Sequence, residues 1–354
     1  MPAGAPRTHG HAQPVPEGLR AHRHARRHPR VVRTIDRTAA SLRITGQRRA
    51  PVIESKYPES TLMSSLPPKK PTRQRLRNSR KRLTPPTNPE MHARKIAESA
   101  EAAWHGAYGT GRLDLPVSII ATLAALPRND SQGNDVTDSM IECDTADFMA
   151  FARHTWTSVI RSRPEITHLV YPIISWIFDG TEASVYQHAH AVAQAALRAG
   201  QPDLTGTDRR FDTDLLGNVL TILRPKSALQ ARGQFYTPAS IAELLARMSD
   251  VEEHRIVEDP MMGTGGMFRA VAEVMREQGR DPRTVRWVGC DIDPIAVACA
   301  AVNSMIWGLG HDIVFHAGNA LTPDWEAGAL AQRDELRRLA TDIERDKRMI
   351  ALLM

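Results

Sequence analysis

The chain is poor in the residues that would build a zinc site, a disulfide framework or a membrane span. It has three cysteines in 354 residues, Cys143, Cys290 and Cys299, and no two of them share a C-x-x-C spacing. This pattern favours a reducing compartment, and we expect a cytoplasmic protein without a metal site. No apolar run approaches the ~18 residues that a membrane helix needs, so we expect no membrane partner.

Aromatic residues are also scarce, at 5% of the sequence, although hydrophobic residues reach 42% and suffice for a packed core. The length predicts one large domain or two ordinary ones. The net charge of +6 is unevenly placed: residues 1–90 hold 20 of the 46 Lys+Arg but only 5 of the 40 Asp+Glu. The rest of the chain is therefore acidic. The basic N-terminal tail either contacts nucleic acid or is merely a basic leader.

The N-terminal two thirds of the chain divide into a tail and a helical part. Residues 1–88 alternate proline, arginine and histidine and cannot bury enough surface to offset their ordering entropy, which predicts a disordered basic tail. Residues 89–230 show helical periodicity and predict a helical domain, with a loop at 127–142. His188 and His190 stand two apart in one of these helices, so they face different directions and are not expected to bind a metal.

The last third of the chain alternates between strand and helix patterns. Short apolar strands are predicted at 255–258, 285–291 and 312–316. A β-α-β-α-β succession implies parallel strands joined by right-handed crossovers. We therefore assign residues 231–322 to a small sheet domain and residues 323–354 to a charged C-terminal helix.

Two strings frame a candidate site in this region: Gly233-Gln-Phe-Tyr-Thr-Pro238 and Asp259-Pro-Met-Met-Gly-Thr-Gly-Gly266. In the first, Thr237 as N-cap and Pro238 as the next residue predict a loop that runs into a helix. In the second, a buried strand turns through glycines, which let a ligand approach the backbone, into the start of another helix. Together they predict a pocket for a small ligand with a nucleoside and a charged tail.

The charges around this pocket indicate which ligand it binds. Asp291, after the second strand, is placed to accept hydrogen bonds from ribose hydroxyls, and Asn319, after the third strand, is placed to reach an adenine ring. A dinucleotide fingerprint needs a third glycine that is absent, and the carboxylate of Asp259 would repel a pyrophosphate. It would instead attract the ammonium group of S-adenosylmethionine (SAM). The charges therefore favour SAM over a dehydrogenase-like nucleotide cofactor.

Taken in order, these two strings and Gly289-Cys-Asp-Ile-Asp293 resemble the N6-adenine DNA methylases, most of all the modification subunits of type I restriction–modification systems. The resemblance spans roughly residues 210–321, and Asp214-Leu-Leu-Gly217 and Asn303 also fall where the family has similar residues. It implies a Rossmann-like, SAM-dependent methyltransferase sheet of about three parallel strands, which follows a helical domain.

The resemblance also implies roles for individual residues and partners. It places Phe235, Tyr236, Thr237 and Pro238 along the methionine side of SAM and Asp259 at the amino group of SAM. It places Gly263, Gly265 and Gly266 in the close turn. Asp291 would lie at the ribose, and Asn319, where the family usually has Asp, would lie at the adenine. DNA is the implied substrate, and a specificity or restriction subunit or a second copy of the chain are further candidate partners.

One family motif is missing from the chain. The Asn-Pro-Pro-Phe/Tyr string, which holds a flipped adenine, does not occur in the 354 residues, so no catalytic residue is assigned. Two functions therefore stay open. The first is a SAM-dependent, adenine N6-specific DNA methyltransferase, and the alternative is a catalytically incapable SAM-binding or DNA-associated relative.

Overall fold

A computed structural model describes residues 43–45, 84–108, 111–224 and 237–353 of the chain. All of them belong to the unit Ala40–Met354. They form a mixed α/β structure with a small, mostly parallel sheet, in which a run of helices separates the first strand from the other three along the chain. The predicted division into domains stays a prediction.

Helices make up the described part of the chain between residue 84 and the sheet. They are α1 (Pro89–Tyr108), α2 (Asp114–Ala124), α3 (Thr137–Glu142), α4 (Thr145–Ser162), α5 (Thr167–Phe178), α6 (Ala183–Arg198), α7 (Gln201–Thr205) and α8 (Leu215–Leu223), with short 3-10 helices at Pro164–Ile166 and Asp208–Phe211. Helix α1 packs against α6 and α8, and α5 packs against a helix of the sheet region. The helical region is thus joined to the sheet by direct packing.

The loop predicted for residues 127–142 is wrong at its end, where α3 forms. Met140 and Ile141 are buried, and α3 packs on α6. The Thr137 amide donates to the Asp135 carboxylate at 2.9 Å, which fixes the start of the helix. Burial of these two apolar side chains outweighs the weak helix propensity of the polar residues around them.

The sheet has the strand order β1-β2-β3-β4. Its strands are β1 (Arg43–Thr45), β2 (Ile256–Asp259), β3 (Arg286–Asp291) and β4 (Ile313–Ala317). Strands β2, β3 and β4 are parallel, with Val257 opposite Trp287 and Val288 opposite Val314. The prediction of an α/β protein with three parallel strands is therefore confirmed.

Four further helices accompany the sheet in the described residues. They are α9 (Ala239–Ser249) before β2, α10 (Gly266–Glu277) and α11 (Pro294–Ile306) between the parallel strands, and α12 (Trp325–Leu353) after β4. A short 3-10 helix at Pro282–Thr284 leads into β3. No helix in the described part of the chain is both long and apolar enough to cross a bilayer.

Strand β1 lies within the stretch that was predicted to be disordered. It pairs antiparallel with β2, with Ile44 opposite Val257. Two of its three residues, Ile44 and Thr45, are β-branched and suit an extended strand. The pairing covers the outer edge of β2, which a parallel sheet would otherwise leave open. The other residues of the predicted tail, up to 83, lie outside the described residues.

The parallel strands are covered on both faces. On one face, Phe268 of α10 stacks on Phe315 at a centroid distance of 5.7 Å and meets the edge of Trp287 at 5.5 Å. Helix α12 covers the other face, where the packed residues are Val288, Cys290, Val314, Trp325 and Ala329. Burial on both sides explains why the strands read as continuous apolar runs.

Candidate functional site

The carboxyl ends of the parallel strands meet at one edge of the sheet. Strand β2 ends at Asp259 and β3 at Asp291. The Gly318 amide, just after β4, donates to the Asp291 carbonyl at 2.9 Å, and the Met262 amide, just after β2, donates to the Cys290 carbonyl at 3.0 Å. The three loops are therefore held together at the edge where doubly wound sheets bind ligands.

The turn after β2 takes its shape from two glycines. Gly263 and Gly265 adopt φ values of +54° and +90°, which other residues rarely adopt. Gly265 is the N-cap of α10 and provides no side-chain cap for the first helical amides. A Cβ atom added at Gly266, the first residue of the helix, would meet no atom within 4 Å. The turn therefore leaves open backbone at the positive end of a helix.

Asp259 is buried beside this turn, with 1% of its surface exposed. Its Oδ1 accepts a hydrogen bond from the Met261 amide at 3.0 Å. Burial raises the pKa of Asp259 from 3.8 to about 6, and the charges of Asp291 and Glu258 add to the rise, against the opposing effect of the Met261 hydrogen bond. Buried acids that crowd one another favour a cationic ligand.

Asp291 connects the glycine turn to the loop after β3. Its Oδ2 accepts from the Gly263 amide and its Oδ1 from the Asp293 amide, each at 2.9 Å. Burial raises its pKa. Each carboxylate oxygen has a second lone pair, so Asp291 can accept two further hydrogen bonds from a ligand.

A buried polar network holds the same turn from the side of helix α8. Asp214, the N-cap of α8, accepts from the Gly217 amide at 2.8 Å, from the Thr264 hydroxyl at 2.5 Å and from the Asn303 side chain at 2.9 Å. Asn303 also donates to the Thr264 carbonyl at 2.9 Å. Burial raises the pKa of Asp214.

The sequence suggested no role for this network. In the sequence, Asp214 and Asn303 only resemble residues of the family, and the pattern predicts no role for Thr264. One residue could have pointed to the network: Asn303 carries a polar side-chain amide in the otherwise mostly apolar helix α11 and is 1% exposed. A buried amide needs partners, and the partners had to come from outside that helix.

A second link lies at the other end of α8. Arg224 Nη2 lies 2.5 Å from Asp293 Oδ2, and both side chains are almost fully buried. Asp293 is also the N-cap of α11 and accepts from the Ile295 amide at 3.1 Å. An Asp before Pro294 is a helix-start signal, so the cap could have been predicted, whereas its partner on α8 could not.

The Phe-Tyr-Thr-Pro string is only partly described. Phe235 and Tyr236 lie outside the described residues, Thr237 is half-buried and Pro238 is exposed. The N-cap of α9 is Pro238, whose ψ of 141° is extended, so the helix begins at Ala239. The prediction of Thr237 as N-cap is therefore wrong by one residue.

Of the predicted site residues, Asp259, Gly263, Gly265, Gly266 and Asp291 come together at the sheet edge. Asn319 lies on an exposed turn after β4, and its Oδ1 accepts from the Leu321 amide at 3.0 Å. Within the described ranges, no group of three or more His, Cys, Asp or Glu side chains is placed to hold a metal ion.

The fold and the site together define a class of protein. A parallel sheet with a glycine turn after one strand and a carboxylate after the next is typical of α/β proteins that bind nucleoside-containing ligands. Residues 212–337 match the family described as N-6 DNA Methylase. The resemblance seen in the sequence is confirmed: this part of the chain is similar to that family.

Two curated relatives are similar to part of the chain. The methylase subunit of the type I restriction enzyme MjaIX of Methanocaldococcus jannaschii is 36% identical over 81 residues, which is 23% of this chain and 14% of the relative. The methylase subunit of the type I restriction enzyme HindI of Haemophilus influenzae is 28% identical over 112 residues, which is 31% of this chain and 25% of the relative. The chain thus spans a quarter or less of either relative's length in these matches. They lend no support to the alternative of a catalytically incapable relative.

Proposed function

We propose that this chain binds SAM and provides the methyl-donor site of an adenine N6-specific DNA methyltransferase of the restriction–modification type. The observation that carries the proposal is the buried carboxylate of Asp259 beside Asp291 and the glycine turn. SAM presents an ammonium and a sulfonium cation, which crowded acids attract, and no pyrophosphate, which they would repel. In this proposal the sheet is the first part of a Rossmann-like methyltransferase fold.

The proposed roles follow the chemistry of the side chains. SAM, when bound, supplies the methyl group. The Asp259 carboxylate would accept from its ammonium group, and the Asp291 carboxylate would accept from its ribose hydroxyls. Gly263, Gly265 and Gly266 would let the ligand lie against the backbone. The further residues that we propose to line the ligand are Phe235, Tyr236, Thr237 and Pro238 on the methionine side and Asn319 at the adenine.

The proposed substrate is DNA, and the proposed partner is a specificity or restriction subunit. Both relatives bear the name of a methylase subunit of a type I restriction enzyme. A basic N-terminal stretch next to an acidic remainder supports DNA contact through the tail. The residues that hold the target adenine are left unassigned, because the Asn-Pro-Pro-Phe/Tyr motif is absent from the 354 residues.

Calorimetric titration of SAM into the purified chain tests the proposal. We expect saturable binding that weakens at least about tenfold in Asp291→Ala, since a charge-assisted hydrogen bond contributes about 1.5–3 kcal/mol. Asp291→Asn, which preserves the size of the side chain, should also bind weakly. Asp281→Ala is the matched control, because this carboxylate caps the short 3-10 helix before β3. Wild-type affinity in both Asp291 variants would contradict the site assignment.

A further inference from the structure

We propose that Asp214 is a positioning residue for the methyl-donor site: by fixing Thr264 it sets the shape of the glycine turn that the ligand meets. The inference rests on the proposed SAM binding and adds a residue that acts through another. Asp214 lies outside the sheet, at the start of helix α8, and its hydrogen bonds reach Gly217, Thr264 and Asn303.

The turn needs such an anchor because its own backbone is permissive. Thr264 lies between Gly263 and Gly265, both of which have positive φ values. Glycines have many accessible conformations, so a turn built on two of them depends on outside contacts to stay in one. Two hydrogen bonds fix Thr264: its hydroxyl donates to the Asp214 carboxylate at 2.5 Å, and its carbonyl accepts from the Asn303 side chain at 2.9 Å.

Helix α8 is fixed at both ends to the loops that form the site. Its N-cap Asp214 holds the turn after β2, and Arg224 at its C-cap pairs with Asp293, two residues after Asp291. The nine residues of the helix span about 13 Å, and their backbone hydrogen bonds keep this length fixed. The helix therefore helps to set the separation between the two loops, in addition to the direct bond from the Gly263 amide to Asp291.

Gly217 shows how tightly the Asp214 carboxylate fits. A Cβ atom added at Gly217 would lie 2.3 Å from Asp214 Oδ2 and 2.9 Å from the Thr264 hydroxyl. A glycine here leaves the space through which the carboxylate reaches the turn. Gly217→Ala should therefore disturb the same contact as a substitution of Asp214, which provides a second, independent variant.

The test compares variants that break this contact with a variant that removes a different hydrogen bond at the same end of α8. Asp214→Asn leaves one acceptor oxygen for the three donors that meet at this carboxylate. Thr264→Val removes the hydroxyl donor, whereas Thr264→Ser keeps it. The control is Thr213→Val: the Thr213 hydroxyl donates to Glu90 at 2.6 Å and ties this end of α8 to α1, away from the turn. The dissociation constants of SAM and S-adenosylhomocysteine are measured by calorimetry at a temperature at which circular dichroism shows every variant folded.

We expect Asp214→Asn and Thr264→Val to weaken SAM binding about tenfold or more and the double variant to be no worse than the poorer single one, because both changes break one contact. Thr264→Ser and Thr213→Val should bind like the wild type, although Thr213→Val should melt at a lower temperature. Equal loss in Thr213→Val would assign Asp214 a merely structural role and overturn the proposal, as would wild-type affinity in Asp214→Asn.

Amide hydrogen exchange of the ligand-free protein separates this inference from the proposed function. In Asp214→Asn the amides of residues 262–265 should exchange faster than in the wild type, while Thr213→Val should leave them unchanged. If the wild-type chain shows no saturable SAM binding, the proposed function fails and the exchange result alone decides whether Asp214 positions the turn. Unchanged exchange in Asp214→Asn would overturn the inference whether or not SAM binds.

Discussion

At the scale of single residues, the candidate site is distinguished by acidic side chains that are buried in the folded protein. Asp259 and Glu258 are buried next to each other at the end of β2, and Asp291 is close enough to raise the pKa of Asp259. An ionised buried carboxylate costs free energy, so such groups are concentrated where a ligand uses them. A cationic ligand would offset this cost, which ties the stability of the site to its occupancy.

SAM binding should depend on pH because of Asp259. The pKa of Asp259 is about 6 in the free protein, so at about pH 5 the carboxylate is mostly protonated and no longer attracts an ammonium group. We expect the dissociation constant to be constant above about pH 7 and to rise below pH 6, by at most about tenfold per pH unit. Calorimetry measures this dependence.

Asp259→Asn is the control for that titration. It should bind SAM weakly at every pH and lack the difference between about pH 7 and pH 5, because its side chain does not ionise. The role of Asp259 would be contradicted if the variant showed the same pH dependence as the wild type, or if wild-type affinity did not fall below pH 6.

At the scale of secondary-structure elements, β3 and the glycine turn are packed so closely that one methyl group matters. A Cβ atom added at Gly289 in β3 would lie 2.3 Å from Met262 Sδ and 3.1 Å from Phe268 Cε2. Both neighbours are buried and have little room to move. Gly289→Ala should therefore lower the free energy of unfolding by about 1–3 kcal/mol, which urea denaturation can measure, and should weaken SAM binding as the turn shifts.

Gly266→Ala is the matched variant at the same turn. A Cβ atom there meets no protein atom within 4 Å, and the residue begins a helix, so stability should change by less than about 0.5 kcal/mol. If the ligand lies against this backbone, SAM binding should nevertheless weaken. A Gly266→Ala variant that binds SAM like the wild type would place the ligand elsewhere.

The sequence predicts the elements of this region better than their contacts. Helix α11 could be predicted because Asp293-Pro294 marks its start, and β3 because its apolar run is short and bounded by polar residues. Helix α3 could not be predicted because it forms through burial of Met140 and Ile141, and strand β1 could not be predicted because it forms through pairing with β2. The local sequence pattern does not indicate such tertiary contacts.

The candidate site divides in the same way. Asp259, the glycines and Asp291 could be predicted from the order of strand, turn and acid along the chain. The hydrogen bond from Thr264 to Asp214 spans 50 residues and joins two elements that the sequence assigns to different parts of the molecule. Only the packing of α8 on the sheet region brings this pair together, and for that reason neither residue was predicted to have a role.

At the scale of the whole molecule, one buried carboxylate joins the helical region to the sheet region. Glu165 is 3% exposed, accepts from Arg163 Nε at 2.6 Å and lies 3.7 Å from His311 Nδ1 and 3.8 Å from Arg337 Nη2. His311 precedes β4 and Arg337 lies in α12. Burial alone would raise the pKa of Glu165, but these three neighbours lower it from 4.5 to about 2.

Glu165→Gln should therefore destabilise the protein in a pH-dependent way. A depressed pKa in the folded state stabilises the protein above the unfolded pKa of 4.5, and this contribution is lost as the pH falls towards 2. At about pH 7 the variant should lose on the order of 3 kcal/mol of unfolding free energy, and the difference from the wild type should shrink below pH 4.5. Urea denaturation at several pH values checks this expectation.

Glu98→Gln is the control for Glu165→Gln. Glu98 pairs with Arg94 on α1, and 55% and 69% of these two side chains are exposed, so the change should be below about 1 kcal/mol at every pH. A Glu165→Gln variant that unfolds like the Glu98→Gln variant at neutral pH would show that the buried cluster contributes little to holding the two regions together.

The uneven charge of the chain leads to a prediction about DNA, which rests on the proposed substrate. Residues 69–82 hold eight of the tail's lysines and arginines, and each one that neutralises a phosphate adds about 0.9 to the slope of log K against log salt concentration. Replacing them with glutamine should weaken binding to double-stranded DNA and flatten this slope, measured by fluorescence anisotropy. Glutamine at Arg345, Lys347 and Arg348, on the exposed end of α12, is the matched control and should leave the slope unchanged. An unaltered slope in the tail variant would leave residues 69–82 as a basic leader without phosphate contacts.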